Sequence, residues 1–470
     1  MNIRQMVSAA LTACAAQGVA FFVSIIMSFV IPKLLGIESY GYWQLFVFYA
    51  GYSGFFHFGL NDGIYLIEGG KRRDQLDRQR VASQFWMSIV IQIMVASAVA
   101  VLACYGTSDS DRFFVFVSFS IYTVIYNTSC LLGYLFQAMN ETKLFSYMTM
   151  LERGVFLIPL ITFVLLHQDD YRLLVLSYIF SRSLALAYAI WMARDVIFTC
   201  LFPPLQALKE CLKSISVGFN LMIANVADMF IIGVSRVLVD NAWGIAVFGQ
   251  VSFSLSIVNF FITFVTQASM VLFPVLRQGT VAERRRFFSR ARDAMDVLFP
   301  AAYVLYFPLA GALKTWLPEY YDSVRYFALL MPICVYNAKM FALCQTYYKV
   351  LRKERVLLYA TCLATVCNSF FTLVGIYVMG SLEAVLSGTV LVIASRTIVS
   401  ERYLSRRLKV PVSNMSSLGV LVSLVFVLAA LMLPPSLALI SFTIVYLGYL
   451  YVSRSTVEQL VRIALRVFGR

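Results

Sequence analysis

Long apolar runs alternate along the chain with short breaks that carry nearly all of its charge. Reading the runs between those breaks predicts about fourteen helices of membrane-spanning length, ~20 residues each. They lie near 10–32, 41–60, 82–104, 113–136, 145–166, 173–193, 215–236 and 245–276, then near 297–313, 323–348, 356–378, 383–401, 417–433 and 436–452. The eighth is too long to lie straight across ~30 Å of hydrocarbon, and the last two are short. Between the sixth and seventh, Pro203 and Pro204 followed by Leu205, Leu208, Leu212 and Ile215 predict an interfacial amphipathic helix. The C-terminal tail predicts another, with Arg462, Arg466 and Arg470 on one face against Val461, Leu465 and Phe468. Leu11-Thr12-Ala13-Cys14 has the form of a lipoprotein processing site, but the apolar run continues to Ile31 and a first span is the expectation.

Composition agrees with the pattern. Apolar residues make up 60% of the 470 and charged ones 13%, against roughly 45–50% and about 25% in soluble domains. A water-soluble enzyme and a disordered chain are both excluded. The nine Cys lie almost all inside apolar runs without a C-x-x-C pair, so they read as small buried hydrophobes. The net charge of +14 is a matter of sidedness. With the N-terminus inside, twenty-eight of the 38 Lys and Arg fall on inner segments and only Lys33, Arg112, Arg172, Lys314 and Arg325 on outer loops. That asymmetry puts both termini in the cytoplasm and explains the basic surplus without nucleic acid.

A repeat organises the spans. Lys33-Leu34-Leu35-Gly36-Ile37-Glu38-Ser39-Tyr40-Gly41 aligns with Arg236-Val237-Leu238-Val239-Asp240-Asn241-Ala242-Trp243-Gly244 at an offset of 203, basic on basic and aromatic-Gly on aromatic-Gly. Each follows an odd-numbered span, and a basic cytoplasmic segment comes later in both halves. An offset of six spans preserves orientation, which is a parallel repeat. The fold expected is an all-α polytopic membrane protein with two pseudo-symmetric six-helix lobes and a C-terminal helix pair. Its divisions would be an N-terminal lobe 1–194, a cytoplasmic linker 195–214, a second lobe 215–410, and the extra pair with its basic tail at 411–470. Two lobes with a site near mid-membrane suit an alternating-access transporter.

Ionisable residues inside apolar runs are the candidate chemistry: Glu152, Arg153, Arg182, Asp228, Arg236, Lys339 and Arg396. Each costs about 2.5–3.5 kcal/mol at a helix centre unless it meets water or a partner. Arg182 and Lys339 lie deepest, while Arg236 sits near an outer end where snorkelling is easy. Asn225, Asp228 and Arg236 fall on one stripe of the seventh span. Internal pairing, such as Arg182 or Arg396 with Glu152 or Asp228, is one reading. The count favours another: five deep cations against two deep anions leave three positive charges for an anionic ligand, and guanidinium forks suit phosphate oxygens. The expected head-group ligands are Arg153, Arg182, Lys339 and Arg396, with Arg236 and Asn225 contributing. Asp228 or Glu152 would couple transport to an ion.

Other motifs carry less. Gly69-Gly70-Lys71 is followed by Arg72 and lacks the earlier glycine of a phosphate-binding loop. No ATP site, metal site or cofactor is read from the chain, so ion or substrate gradients are the expected energy source. Asp109-Ser110-Asp111 is a solvated loop before it is a metal–sugar-diphosphate site. His57, in an aromatic run, and His167, at a span end, read as packing and interface residues.

Two stretches carry a resemblance. PKLLGIESYGYWQLF at Pro32–Phe46 leads into GLNDGIYLIEGGK at Gly59–Lys71, and the second stretch is FGQVSFSLSIVNFFITFVTQASMVLFPVLR at Phe248–Arg277. With the fourteen-span layout they resemble the polysaccharide transporter branch of the MOP exporter superfamily, in particular Wzx-type O-antigen or capsule repeat-unit flippases. The resemblance implies a V-shaped pair of lobes around a cationic cavity in the bacterial inner membrane. It also implies ion-gradient coupling and a cargo of short oligosaccharide linked through diphosphate to undecaprenol. Membrane lipids would surround a chain that functions as a monomer, beside a glycan polymerase and a chain-length regulator. Alternatives are a multidrug or organic-cation antiporter of the same fold, a polytopic glycan polymerase or glycosyltransferase, and a membrane scaffold.

Overall fold

The computed structural model describes residues 18, 21–278, 280–413, 415–454 and 456–459. Among them every regular element is helical, as a chain surrounded by lipid requires when each backbone N–H and C=O must be satisfied internally. Helix α1 (Phe21–Phe29) is bent by 69° from the segment that follows it. Then come α2 (Ile31–Gly51), a 3-10 turn (Ser53–His57), α3 (Leu60–Glu68), α4 (Arg78–Gly106), α5 (Ser110–Ala138), α6 (Thr142–Leu165) and α7 (Tyr171–Ile197). A 75-residue element, α8 (Pro204–Gln278), is redirected at Gly244. It is followed by α9 (Val281–Leu298), a 3-10 segment (Phe299–Leu305), α10 (Tyr306–Trp316), α11 (Tyr321–Leu330) and α12 (Pro332–Lys339). A π-helical turn (Met340–Gln345) leads into α13 (Thr346–Val350), and α14 (Glu354–Tyr377), α15 (Leu382–Leu408), α16 (Met415–Met432) and α17 (Pro435–Val452) complete the order.

Nine of these helical stretches are long and apolar enough to cross a membrane, or up to eleven if each of two bent pairs is one span. The fourteen expected spans all have helical counterparts. The seventh and eighth run on through Gly244, the first is bent into the second, and the thirteenth is short. Large apolar side chains face outward, among them Leu102, Ile158, Leu165, Leu363, Val366, Ile440 and Ile444, as lipid contact demands. The Cys14 motif and the Arg462–Arg470 face lie outside the described residues.

The chain divides into two compact units, Met1–Val226 and Ala227–Arg470. Each contains a turn at a glycine in a region open to almost no other residue: Gly36 (φ 68°, ψ 176°) and Gly244 (φ 81°, ψ −178°). These are the equivalent turns, which corrects the register read from the sequence. Gly41, aligned there with Gly244, is buried and helical. The aromatic-Gly likeness was the stronger sequence signal, but backbone strain selects Gly36.

In the first unit, α3 and the start of α8 cross with their backbones in contact. A Cβ on Gly63 would stand 1.9 Å from the Ser214 carbonyl oxygen, and one on Gly218 would stand 2.1 Å from that of Gly59. Gly59-x-x-x-Gly63 therefore fits Ser214-x-x-x-Gly218, small faces allowing close approach. The amphipathic segment expected here is helical from Pro204, but its buried residues are Ala207, Cys211 and Ser214. Leu205, Leu208 and Leu212 point outward. At the end predicted to be cytoplasmic, Arg73 clasps Glu141 (2.7 Å) and Asp195 (2.6 Å). Its hydrogen bonds to Glu141 raise the guanidinium above its ordinary pKa, so the clasp stays charged across physiological pH.

The second unit builds its core around tyrosines. Tyr303 stacks on Phe426 at 4.5 Å, and the Tyr303 and Tyr336 hydroxyls meet Ser423 at 2.8 and 3.1 Å. Tyr446 and Tyr449 donate to the carbonyls of Val297 and Asp296 at 2.8 and 2.9 Å. These bonds fasten the extra pair α16–α17 to the second unit.

Candidate functional site

The candidate charges of the first unit, Glu152, Arg153 and Arg182, gather where α5, α6 and α7 face one another. Arg182 on α7 forms an ion pair with Glu152 on α6 and lies 4.8 Å from the centre of the Tyr126 ring on α5. The pair is almost closed off, with side-chain exposures of 11% and 7%. The Arg182 Nε has no hydrogen-bond partner among the described residues, so the guanidinium keeps a donor free. Aromatic rings surround this pair. Tyr178 meets Phe156 at 5.1 Å, Tyr122 at 5.6 Å, Trp43 at 6.0 Å and Phe46 at 6.1 Å.

Arg153 follows Glu152 in sequence and differs from it in one respect. It lies in the field of Tyr178 and Glu152, yet it makes no ion pair with a described residue. A half-buried guanidinium held among aromatic rings without a carboxylate of its own is a ready anion ligand.

In the second unit Lys339 is met more completely, whereas Arg396, like Arg182, makes one ion pair and has an Nε without a partner among the described residues. Arg396 on α15 forms an ion pair with Asp228 on α8, whose carboxylate also accepts from Gln345 and, at 3.4 Å, from Thr361. Lys339, 4% exposed, donates to Asp296 and, at 2.5 Å, to Glu401. Arg292 is 3.9 Å from Glu401 and 2.8 Å from Asp293. The cavity beside Lys339, Asp296 and Glu401 holds only about 20 Å³, room for a water. Next to Asp228, Ser235 bonds Thr372 and Asn368, both at 2.7 Å, and ties α8 to α14. Arg236 lies 4.8 Å from the centre of the Phe248 ring and donates to Ser252 at 2.7 Å. The side chain of Asn225 lies outside the described residues.

The structure thus brings Glu152, Arg153 and Arg182 together in one unit, and Asp228 with Arg396 in the other. Lys339 stands with acids that sequence reading missed. Asp296 and Glu401 sit at the margins of their apolar runs, and the helices carry them inside. Asp296 and Glu401 thus reduce the positive surplus expected from sequence. Asp109 and Asp111 are also accounted for: Asp109 caps α5 and accepts from Tyr42 at 2.8 Å, while Asp111 accepts from Tyr171 at 2.6 Å and pairs with Arg172.

Solved structures share this architecture. The inward-closed lipid II flippase MurJ superposes with a TM-score of 0.65 at 9% identity, covering 99% of this chain and 100% of that one. An inward-facing multidrug resistance MATE family transporter of the MOP superfamily gives 0.61 at 12% identity over 83% and 98%. An outward-facing one gives 0.52 at 12% over 86% and 95%. At such identities the likeness establishes the fold alone, the one these multi-pass membrane proteins share. Residues 6–280 match the family model described as polysaccharide biosynthesis protein, and the chain belongs to that family. No curated protein sequence matches the chain.

Proposed function

We propose that the protein is a flippase that carries a diphosphate-linked oligosaccharide on a polyprenyl lipid, of the undecaprenyl kind, from the cytoplasmic to the outer face of the bacterial inner membrane. The observation that carries this reading is the site in the first unit. Arg153 has no acid of its own, Arg182 has a free donor, and Tyr122, Tyr126, Tyr178 and Trp43 offer stacking faces for sugar rings. Arg153 and Arg182 bind the diphosphate. Glu152 is the exchange partner that holds Arg182 until the phosphate arrives and regains it when the cargo leaves. Membership of the polysaccharide biosynthesis family and the MOP fold support transport. The acidic outer loop at Asp109–Asp111 is occupied by helix capping and tyrosine bonds, which favours a transporter over a glycan polymerase or glycosyltransferase. The cationic character of the site favours an anionic cargo over the organic cations of an antiporter.

Asp228, held by Arg396, Gln345 and Thr361, supports a structural role better than an ion-coupling one. Lys339 and Arg396, each already paired, are weaker candidates for head-group contact than the two arginines of the first unit.

The test is made in cells depleted of the protein. Polyprenyl-linked glycans are extracted, their length determined, and their side of the membrane read with an impermeant sugar-modifying reagent. Single repeat units trapped on the cytoplasmic face are the expected result. Single units on the outer face would indicate a polymerase, and unchanged lipid-linked glycans would overturn the reading.

A further inference from the structure

The second membrane helix is broken between Ser53 and Leu60. Phe58 (φ 52°) and Gly59 (φ 89°) both take left-handed backbone there. The break turns two buried side chains toward each other. His57 and Asp62, 6% and 3% exposed, stand with Nε2 and Oδ2 3.6 Å apart. On an unbroken helix, positions five residues apart would diverge by about 140°. The other ring nitrogen of His57, Nδ1, accepts from the Gly59 N–H at 3.0 Å. That bond fixes the tautomer of the neutral ring, whose one N–H sits at Nε2 and faces Asp62.

Glu152 and Asp228 each face a guanidinium, a tethered and permanent positive charge. Asp62 faces an imidazole, whose charge is optional. From α5 the ionisable groups facing Asp62 are Cys130 and Tyr134, with Arg182 acting on Cys130 from beyond. From α4 comes the amide of Gln92, bonded to the Phe56 carbonyl at 2.9 Å, and from α8 come Ser214 and Gly218. With a neutral imidazole the buried pair carries one net negative charge, and one bound proton cancels it. In an apolar interior the cancelled form is strongly preferred. A gap of 3.6 Å exceeds a charge-assisted hydrogen bond by less than 1 Å, and uptake that makes the pair imidazolium and carboxylate, with Nδ1 giving up the Gly59 N–H, would close it.

We propose that His57 and Asp62 form a proton-binding site that takes up one proton beyond the imidazole's own, at Nδ1 in place of the Gly59 hydrogen bond or on the Asp62 carboxylate, and that loading and release of this proton drive transport through the bend of the second membrane helix. Its link to the rest of the chain is direct. Gly59, whose N–H binds His57, touches Gly218 backbone to backbone, and α8 continues from there into Asp228 and the second unit. Closing the His57–Asp62 gap moves the segment against which α8 is seated. The coupling half of the proposal rests on the flippase reading, whereas the proton-binding half does not.

The experiment uses the full-length protein in lipid nanodiscs. The chain has two histidines, so His167→Gln leaves His57 as the single imidazole. The ring is followed by nitrogen-15 NMR and the carboxyl by infrared difference spectroscopy from about pH 8.5 to 5.5. Expected is uptake of one proton, seen as an imidazolium at His57 that Asp62→Asn shifts, or as a protonated carboxyl that Asp62→Asn removes. Neither signal across the range overturns the site. In proteoliposomes under a pH gradient, Asp62→Asn and His57→Gln are expected to slow lipid-linked oligosaccharide transfer about tenfold or more and to abolish its response to the gradient. Transfer at wild-type rate with the gradient response intact would overturn the coupling and leave the flippase reading to the depletion experiment.

Discussion

The two units treat buried charge differently. In the second, Lys339 has two carboxylates, Asp228 has Arg396, Gln345 and Thr361, and Arg292 has Glu401 and Asp293. At the candidate site of the first, among the described residues, Glu152 pairs with Arg182 and Arg153 with no carboxylate. A saturated network resists rearrangement, because removing one member strands a charge in a medium that cannot solvate it. A network one acid short attracts an anion instead. The comparison teaches that counting deep charges along the sequence leaves out the partners that the fold brings to them. On the proposed reading the diphosphate goes to the cation that pairing leaves over, Arg153 in the first unit.

The largest effect that sharpens this contrast is at Lys339. Lys339→Met leaves Asp296 facing Glu401 with only Arg292 nearby, 3.9 Å from Glu401, and a loss of about 3–5 kcal/mol of stability is expected, read as loss of folded protein in detergent extracts. Normal protein level with normal export would break the claim that this network is structural.

Next come paired replacements. Arg396→Met with Asp228→Asn removes charge and countercharge together, so folding and export are both expected near wild type. Arg182→Met with Glu152→Gln is expected to fold equally well but to lose export about a hundredfold, since the phosphate ligand is gone. Lipid-linked glycan turnover in complemented cells reads both. Equal export by the two double variants would erase the distinction between the units.

A smaller effect separates packing from chemistry. Gly63→Ala forces a methyl onto the Ser214 carbonyl and is expected to cost about 1–3 kcal/mol. Gly311→Ala in the second unit meets open space and is expected to stay within about 0.5 kcal/mol of wild type. Thermal unfolding in matched detergent compares them. The smallest effect is at the outer loop, where Asp109→Asn with Asp111→Asn is expected to lower stability by about 1 kcal/mol or less and to leave export unchanged. Loss of export there would revive the glycosyltransferase reading.

Much of the fold was legible in the sequence because lipid imposes one rule on every span. The apolar runs placed several helices to within a turn, α5, α6 and α14 among them, and the charge asymmetry of the loops predicted a topology. The site was legible only in part. Glu152, Arg153 and Arg182 stood out as charges in apolar runs, whereas Asp296 and Glu401 lie at run edges, where a charge looks solvated until the helix continues inward. His57 and Asp62 were hidden by the helix break, which reverses the spacing rule that five residues on a helix face apart. The Leu205–Leu212 stripe was identified correctly as apolar but turned outward, because the small residues beside it permit the closer contact with α3.

The most direct test of the central claim is a binding measurement in nanodiscs with a polyprenyl-diphosphate oligosaccharide, comparing wild type, Arg153→Ala, and Arg396→Met with Asp228→Asn. Arg153→Ala removes no ion pair, so it is expected to fold normally and to weaken binding about tenfold or more. The second-unit variant is expected to bind as wild type does. Unchanged affinity in Arg153→Ala, or a comparable loss in the second-unit variant, would contradict the assignment of the diphosphate to the first unit.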